Sequence, residues 1–192
     1  MIWVFAEERS GSTWLCETLA KRLNKPLIYL EQYAPRQNYI HQTHDFSWLD
    51  RVEGTVLRTS RRDLVEHFLS MVILDKAKEV ASDWYRIPHV YKEVEGEHLQ
   101  VLKRVTQRVK VEVTKDDVVR YLDVKRERDK LWGIYGTGQV IYYEDLYAGV
   151  YIPLLADTLA FEDSSILVKL PYDKHELVPN WEQAVTWFKE LT

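Results

Sequence analysis

The fold of this chain is decided by residues 2–15, which read Ile-Trp-Val-Phe-Ala-Glu-Glu-Arg-Ser-Gly-Ser-Thr-Trp-Leu. The apolar run at 2–6 predicts a short buried strand. A polar loop with one glycine follows, and Ser12 and Thr13 open a predicted helix. A strand, a tight loop and a helix in this order direct backbone N–H groups towards a phosphate. The two hydroxyls and the fixed charge of Arg9 would strengthen such a site.

This loop differs from the nucleotide-triphosphatase loop G-x-x-x-x-G-K-[ST] at two positions. Gly11 and Thr13 fit the pattern, but Ala6 stands at the first glycine and Ser12 at the lysine. The positive charge lies instead inside the loop, at Arg9. The pattern favours a phosphate-like ligand over ordinary ATP or GTP hydrolysis, although a Ser-Thr pair also serves as a simple helix cap.

Length and composition indicate a single globular domain over residues 1–192, because 46% of the residues are hydrophobic. The formal net charge of −4 and the lack of a basic tail argue against nucleic acid as a partner. The single Cys16 excludes an internal disulfide. We expect no signal peptide and no transmembrane segment, and therefore a cytoplasmic location.

Strands and helices are predicted to alternate along the chain. After the first strand, strands are predicted at 27–30, 39–44, 54–60 and 139–143, and helices at 12–23, 62–82, 99–108, 115–132, 150–159 and 181–191. Such alternation favours an α/β fold with a parallel sheet covered on both faces. Ligands bind beyond the carboxyl ends of such strands. The polar residues predicted at these ends are Arg9, Glu31, His44, Arg62 and Glu144.

A second phosphate site is predicted where the strand at 54–60 gives way to a helix. Arg61 and Arg62 stand at this point, and Ser70 follows Arg62 by eight positions, about two helical turns, on a similar face. Arginine presents a planar fork that suits phosphate oxygens. Arg62 and Arg61 are both candidates for the ligand. An ordinary helix start with surface arginines would give the same residues.

Several of these stretches resemble motifs of the sulfotransferases, above all of the bacterial trehalose-type and cytosolic enzymes. The loop residues Arg9, Ser10, Gly11, Ser12, Thr13 and Trp14 are similar to the 5′-phosphosulfate loop [RK]-[ST]-G-[ST]-[ST]-[WFL]. Arg62 and Ser70 resemble the pair that binds the 3′-phosphate in the family. Residues 143–146, Tyr-Glu-Asp-Leu, and 180–182, Asn-Trp-Glu, are similar to two shorter family elements.

The resemblance implies a P-loop-like three-layer α/β fold with a central parallel sheet flanked by helices. It also implies that 3′-phosphoadenosine 5′-phosphosulfate (PAPS) is the cofactor, with adenosine 3′,5′-bisphosphate as the product. The acceptor would be a hydroxyl or amine of a small molecule, sugar or lipid. In this interpretation residues 9–13 hold the phosphosulfate, and Arg9 also stabilises charge during transfer. Trp14 either stacks on adenine or belongs to the core, and no metal is required.

Two residues are candidates for the base that deprotonates the acceptor. His44, in Gln42-Thr43-His44, resembles the Lys-Thr-His motif of the cytosolic enzymes, although Gln42 replaces the lysine. Glu31 follows the second strand, as the base of the trehalose-type enzymes does. Histidine suits the task near neutral pH, so we favour His44 and keep Glu31 as the alternative. The Arg-Lys-Gly loop that cytosolic enzymes carry near the C-terminus is absent from this sequence.

Two other functions remain open. A P-loop small-molecule kinase would use ATP, but the missing loop lysine and the Arg62/Ser70 pair speak against it. A protein of the same fold that binds a nucleotide or partner without catalysis is the second alternative, in keeping with the short chain and the absent C-terminal loop. Aromatic residues at 84–91 and 33–39 are candidates for lining an acceptor pocket.

Overall fold

The computed structural model describes residues 1–80, 110–147 and 173–192, which form two compact units. Of these residues, the first unit contains 1–62 and 125–147, and the second contains 63–80, 110–124 and 173–192. The helices predicted at 99–108 and 150–159 and the aromatic stretch at 84–91 lie outside the described residues. A single domain over the whole chain stays a prediction.

The first unit is built on a five-stranded sheet in which every pair of neighbouring strands is parallel. Its strands are β1 (Ile2–Ala6), β2 (Leu27–Tyr29), β3 (Ile40–Thr43), β4 (Thr55–Ser60) and β5 (Gln139–Tyr142). The spatial order is β2-β3-β1-β4-β5, so β1 lies at the centre. The predicted α/β class with a central parallel sheet flanked by helices is confirmed.

The described helices agree closely with the periodicity of the sequence. They are α1 (Ser12–Leu23), α2 (Leu64–Val80), α3 (Lys115–Tyr135), α4 (Tyr143–Tyr147), α5 (Lys174–Leu177) and α6 (Trp181–Leu191), together with one tight turn at Phe46–Trp48. The bounds of α1 and α6 are those predicted. Helix α2 begins later than predicted because Asp63 caps it, its Oδ1 accepting the N–H of Glu66 at 2.9 Å. In the described part of the chain, no helix combines the length and apolar character needed to cross a membrane.

Strand β1 is buried along its whole length because both faces of the sheet are covered. Ile2 and Val4 pack in one cluster with Leu15 and Leu19 of α1. Trp3 and Phe5 point to the opposite face, since side chains alternate along a strand. On that face they pack against two groups of apolar side chains. One group lies at the tight turn and just after it (Phe46, Trp48 and Leu49), and the other belongs to α3 (Leu131 and Trp132). The apolar run therefore predicted a buried strand correctly.

The second unit has a core of its own, formed by α2, the N-terminal part of α3, α5 and α6. Its most buried residues include Leu69, Val118 and Ala184. The rings of Phe68 and Phe188 meet edge to face with centroids 5.3 Å apart. Helix α5 was not predicted from the sequence, because it is a single turn whose cap, Asp173, accepts the N–H of His175 at 2.8 Å.

Two glycines provide a matched test of the sheet. A Cβ on Gly138, just before β5, would lie 1.6 Å from the carbonyl oxygen of Val56, whereas a Cβ on Gly133 in α3 would contact nothing within 4 Å. We expect Gly138→Ala to reduce the free energy of unfolding by about 1–3 kcal/mol, because β5 must move away from β4. Gly133→Ala should raise it by about 0.5–1 kcal/mol through helix propensity.

Chemical denaturation followed by circular dichroism measures both values. Equal stability of Gly138→Ala and the wild type would show that β5 does not pair with β4 in the register Leu57 to Gln139.

Candidate anion-binding site

The loop between β1 and α1 leaves the central strand at the carboxyl edge of the sheet. Gly11, immediately before α1, has φ +76° and ψ 12°, and Arg9 has φ +60°. A positive φ is uncommon for a residue other than glycine and costs backbone energy unless neighbouring contacts hold it. The first N–H groups of α1 have no partner inside the helix. The strand, tight loop and helix start predicted from residues 2–15 are therefore present, and anion binding by this loop stays a prediction.

Ser10 stabilises this loop from inside. Its side chain is fully buried, and its hydroxyl donates to the carbonyl oxygen of Glu7. Thr59 Oγ1 of β4 lies 2.6 Å from the same hydroxyl, and the backbone N–H of Ser10 also donates to the Glu7 carbonyl, at 3.3 Å. The sequence predicts Ser10 as a phosphosulfate ligand, but the structure places its hydroxyl within the loop, where it ties the loop to β4.

The next three predicted ligands begin α1. Ser12 is buried, and its hydroxyl oxygen accepts a hydrogen bond of 3.0 Å from Nε2 of Gln42 on β3. Because that oxygen accepts from Gln42, its own hydrogen is directed elsewhere. Thr13 is half-buried. Trp14 is buried in the core cluster that also contains Leu57, so the structure places it in the core alternative.

His44 lies beside the start of the loop. Its Nδ1 is 2.7 Å from the carbonyl oxygen of Ala6, the last residue of β1. A carbonyl oxygen only accepts hydrogen bonds, so Nδ1 must carry the hydrogen, and Nε2 of the neutral ring then carries the lone pair. About half of the side chain, 48%, is exposed. Nε2 is therefore the nitrogen of His44 that is able to take a proton.

A carboxylate accompanies this imidazole. Glu8 forms a two-pronged ion pair with Arg128 of α3, at 2.6 and 2.8 Å, and its Oε1 lies 3.9 Å from Nδ1 of His44. Burial disfavours the ionised form of Glu8, but the hydrogen bonds and charge of Arg128 outweigh it, so the pKa of Glu8 lies below its ordinary value of 4.5. A negative charge thus stays beside His44 at neutral pH.

Glu31, the alternative base, stands farther from the loop in the order of the sheet. It is exposed and follows β2, the edge strand, whereas His44 follows β3, the immediate neighbour of β1. Neighbouring strands lie about 4.8 Å apart, so one additional strand separates Glu31 from the strand that carries the loop. The topology therefore favours His44.

The two predicted arginines at the end of β4 have different surroundings. Arg62 is exposed, and its Nη1 and Nη2 donate to the two carboxylate oxygens of Asp145 at 2.6 and 2.7 Å. Arg61 is buried, and its Nε donates to the carbonyl oxygen of Arg9 at 2.7 Å. Ser70 lies in α2 of the second unit, where its hydroxyl donates to the carbonyl oxygen of Glu66 at 2.9 Å. Within the first unit, the structure joins Arg61 to the loop and Arg62 to α4.

A buried ionic cluster beneath the loop was missed by the sequence analysis. Glu7 is fully buried, and its Oε1 accepts hydrogen bonds from Nε of Arg58 at 2.9 Å and Nζ of Lys125 at 3.1 Å, as well as from Nη2 of Arg58. Asp129 accepts from the same two cations, from Lys125 at 2.9 Å. Lys125 also donates to Ser60 Oγ at 3.3 Å.

One signal in the sequence pointed to this cluster. Arg58 stands in the middle of the otherwise apolar or β-branched strand Thr-Val-Leu-Arg-Thr-Ser. A charged side chain on a buried strand requires a partner, because unpaired charges are almost never buried. The identity of the partners depended on contacts between β1, β4 and α3, which are distant in the sequence and invisible to local patterns.

His41, on β3, is a second histidine close to His44 in sequence, but its surroundings are different. It is fully buried, and its Nε2 accepts a hydrogen bond of 2.9 Å from the backbone N–H of Arg36. Burial lowers the pKa of its imidazole, so the ring is neutral. Across residues 1–80, 110–147 and 173–192, no three His, Cys, Asp or Glu side chains are grouped to hold a metal ion.

Comparisons of the chain with protein-family models, with curated proteins and with solved structures found no match in any of the three. At one edge of the sheet lie the tight loop that carries Arg9, the start of α1 and the imidazole of His44, whose Nδ1 is bound to the last residue of β1. These groups are able to hold an oxyanion and to accept a proton beside it.

The ionic cluster should dominate the stability of the loop. We expect Glu7→Ala to reduce the free energy of unfolding by about 3 kcal/mol, because the buried Arg58 and the partly buried Lys125 lose their buried carboxylate and keep only the half-exposed carboxylate of Asp129. Thermal denaturation compares it with Glu17→Ala, a control in which the removed carboxylate is exposed on α1 and the change should stay within about 0.5 kcal/mol. Similar, small effects of both substitutions would contradict the assignment of Glu7 as the centre of the cluster.

Proposed function

We propose that this protein is a sulfotransferase that moves a sulfonate group from PAPS to a hydroxyl or amine of an acceptor. The observation that carries the proposal is the hydrogen bond between His44 Nδ1 and the carbonyl oxygen of Ala6. This hydrogen bond holds the His44 ring at Ala6, the residue immediately before the proposed anion-binding loop. The Nε2 atom of the same ring is able to accept a proton. A base at this position serves transfer to an acceptor group.

The loop supports the first half of the proposal. Arg9 supplies a fixed positive charge, Gly11 allows the left-handed turn, and Ser12 and Thr13 begin the helix whose N–H groups are available to a 5′-phosphosulfate. Ser10 acts differently from a ligand, since its hydroxyl keeps the loop closed on Thr59. We also propose that the fold is P-loop-like.

In the proposed reaction, bound PAPS supplies an activated sulfonate and a good leaving group. The acceptor oxygen or nitrogen forms a bond to sulfur while the bond from sulfur to the 5′-phosphate oxygen breaks, and adenosine 3′,5′-bisphosphate leaves. His44 Nε2 takes the proton from the acceptor. Arg9 balances the negative charge that develops on the leaving oxygen. The carboxylate of Glu8 stabilises the imidazolium that results.

The 3′-phosphate is the feature that separates PAPS from ATP. Arg62 is the proposed ligand, since its guanidinium is exposed at the carboxyl end of β4. Its pairing with Asp145 holds the fork in one orientation, and a phosphate would compete with that carboxylate. The part that Ser70 plays in this site stays a prediction.

Binding of nucleotides provides the first test of the proposal. We expect adenosine 3′,5′-bisphosphate to bind at least about tenfold more tightly than ADP or ATP in isothermal titration calorimetry, because only it carries a 3′-phosphate. Arg62→Met should remove this preference. Arg51→Met is the matched control, because Arg51 is also exposed and also paired with an aspartate, Asp50.

Tighter binding of ATP than of the bisphosphate would overturn the proposal and favour the kinase alternative. Absence of binding to all three nucleotides would favour a protein that uses this fold without the cofactor.

The base is tested by comparing two substitutions. His44→Asn keeps an N–H at the position of Nδ1, so the contact with Ala6 is retained while Nε2 is lost. We expect it to lower kcat by about a hundredfold to ten-thousandfold at unchanged affinity for PAPS. Glu31→Gln should leave kcat within a fewfold of the wild type. Transfer from radiolabelled PAPS to a panel of sugars, phenols and lipid alcohols measures both.

The reverse order of the two losses would assign the base to Glu31. Near-normal transfer by both variants would remove both residues from the reaction.

A further inference from the structure

The structure gives Arg61 a role that differs from the one considered for it in the sequence. Arg61 directly follows β4 and is buried, and its Nε donates a hydrogen bond of 2.7 Å to the carbonyl oxygen of Arg9. Its guanidinium carbon lies 3.8 Å from the ring centroid of Tyr143, the first residue of α4. A planar guanidinium stacked on an aromatic ring is held in orientation as well as in position.

This hydrogen bond fixes one peptide group of the loop. The peptide between Arg9 and Ser10 has its carbonyl oxygen bound by Arg61 and its N–H bound by the carbonyl oxygen of Glu7. Both polar atoms of the peptide are therefore occupied. The left-handed conformation of Arg9, which is costly on its own, is the conformation that these two contacts enforce.

Arg61 and Arg62, which follow the same strand, therefore have different partners. Arg62 presents its fork at the surface beside Asp145, whereas Arg61 is turned towards the backbone of the loop. The ring of Tyr143 and the carboxylate of Asp145 belong to the same short helix, α4, and each orients one of the two arginines.

We propose that Arg61 is a positioning residue that sets Arg9 and the N–H groups behind it for the 5′ end of the ligand. This inference rests on the proposed function for the identity of that ligand. It argues against Arg61 as the ligand of the 3′-phosphate, since its Nε donates to the loop carbonyl and its plane stacks on the Tyr143 ring. Arg61 would act on every nucleotide with a 5′ anionic group, whether or not it carries a 3′-phosphate.

Two variants and two nucleotides distinguish the roles of the arginines. In calorimetric titrations, we expect Arg61→Met to lower the affinity for adenosine 3′,5′-bisphosphate and the affinity for adenosine 5′-monophosphate by the same factor, about tenfold or more. Arg62→Met should weaken only the bisphosphate. Arg61→Lys, which keeps a donor near the Arg9 carbonyl, should recover part of the loss. Loss of affinity confined to the bisphosphate in Arg61→Met would make Arg61 the 3′-phosphate ligand and overturn the inference.

A second measurement needs no ligand. Amide hydrogen exchange of the free protein should be faster at Ser10 in Arg61→Met than in the wild type, because the peptide loses one of its two contacts. Exchange in β1 and α1 should stay the same, which separates a local effect from general destabilisation. Unchanged exchange at Ser10 would overturn the positioning role.

The two measurements also separate this inference from the proposed function. A wild type that binds neither nucleotide would refute the sulfotransferase proposal, while faster exchange at Ser10 would still establish Arg61 as the residue that holds the loop. Normal nucleotide binding by both Arg61→Met and the wild type would refute the inference alone.

Discussion

The buried carboxylate of Glu7 is the constraint on which the first unit depends. It lies at the end of the central strand, where it receives Arg58 from β4 and Lys125 from α3. A fully buried charge is tolerated only when its partners are in place, so these three elements must assemble together. The loop that joins β1 to α1 begins at this residue. The position of the loop is therefore set by the same ion pairs that join the strand, its neighbour and the covering helix.

Local patterns predicted the elements of the fold well. The apolar run of β1 and the helical spacing of Leu15 and Leu19 in α1 depend on residues close in sequence, and the parallel sheet followed from the alternation of strands and helices. Predictions failed where the decisive partner is distant in sequence. Neither the ion pairs of Arg58 nor the separate surroundings of Arg61 and Arg62 have a local signature, because Asp129, Arg9 and Asp145 are brought to them only by folding.

The candidate site shows the same division. The backbone of the loop and the position of His44 at a strand end were predictable, since both follow from the order of strands in a parallel sheet. The inward hydroxyl of Ser10 was not, and the choice between adenine and core for Trp14 stayed open, because a motif gives residue types and spacing but not the direction of each side chain. The short helix α4 gained a defined role only in the structure, where it orients both arginines.

The order of the sheet has a consequence for the kinetics of folding. Strand β4 must pair with β1 on one edge and with β5 on the other, and β5 is separated from β4 by α2 and α3 in the sequence. Parallel pairing across such long segments closes a long loop. The entropy lost in closing it must be overcome before the strand contacts form, which slows folding. During synthesis, β4 is completed long before β5, so its free edge remains open to pairing with other chains until residues 139–142 have emerged from the ribosome.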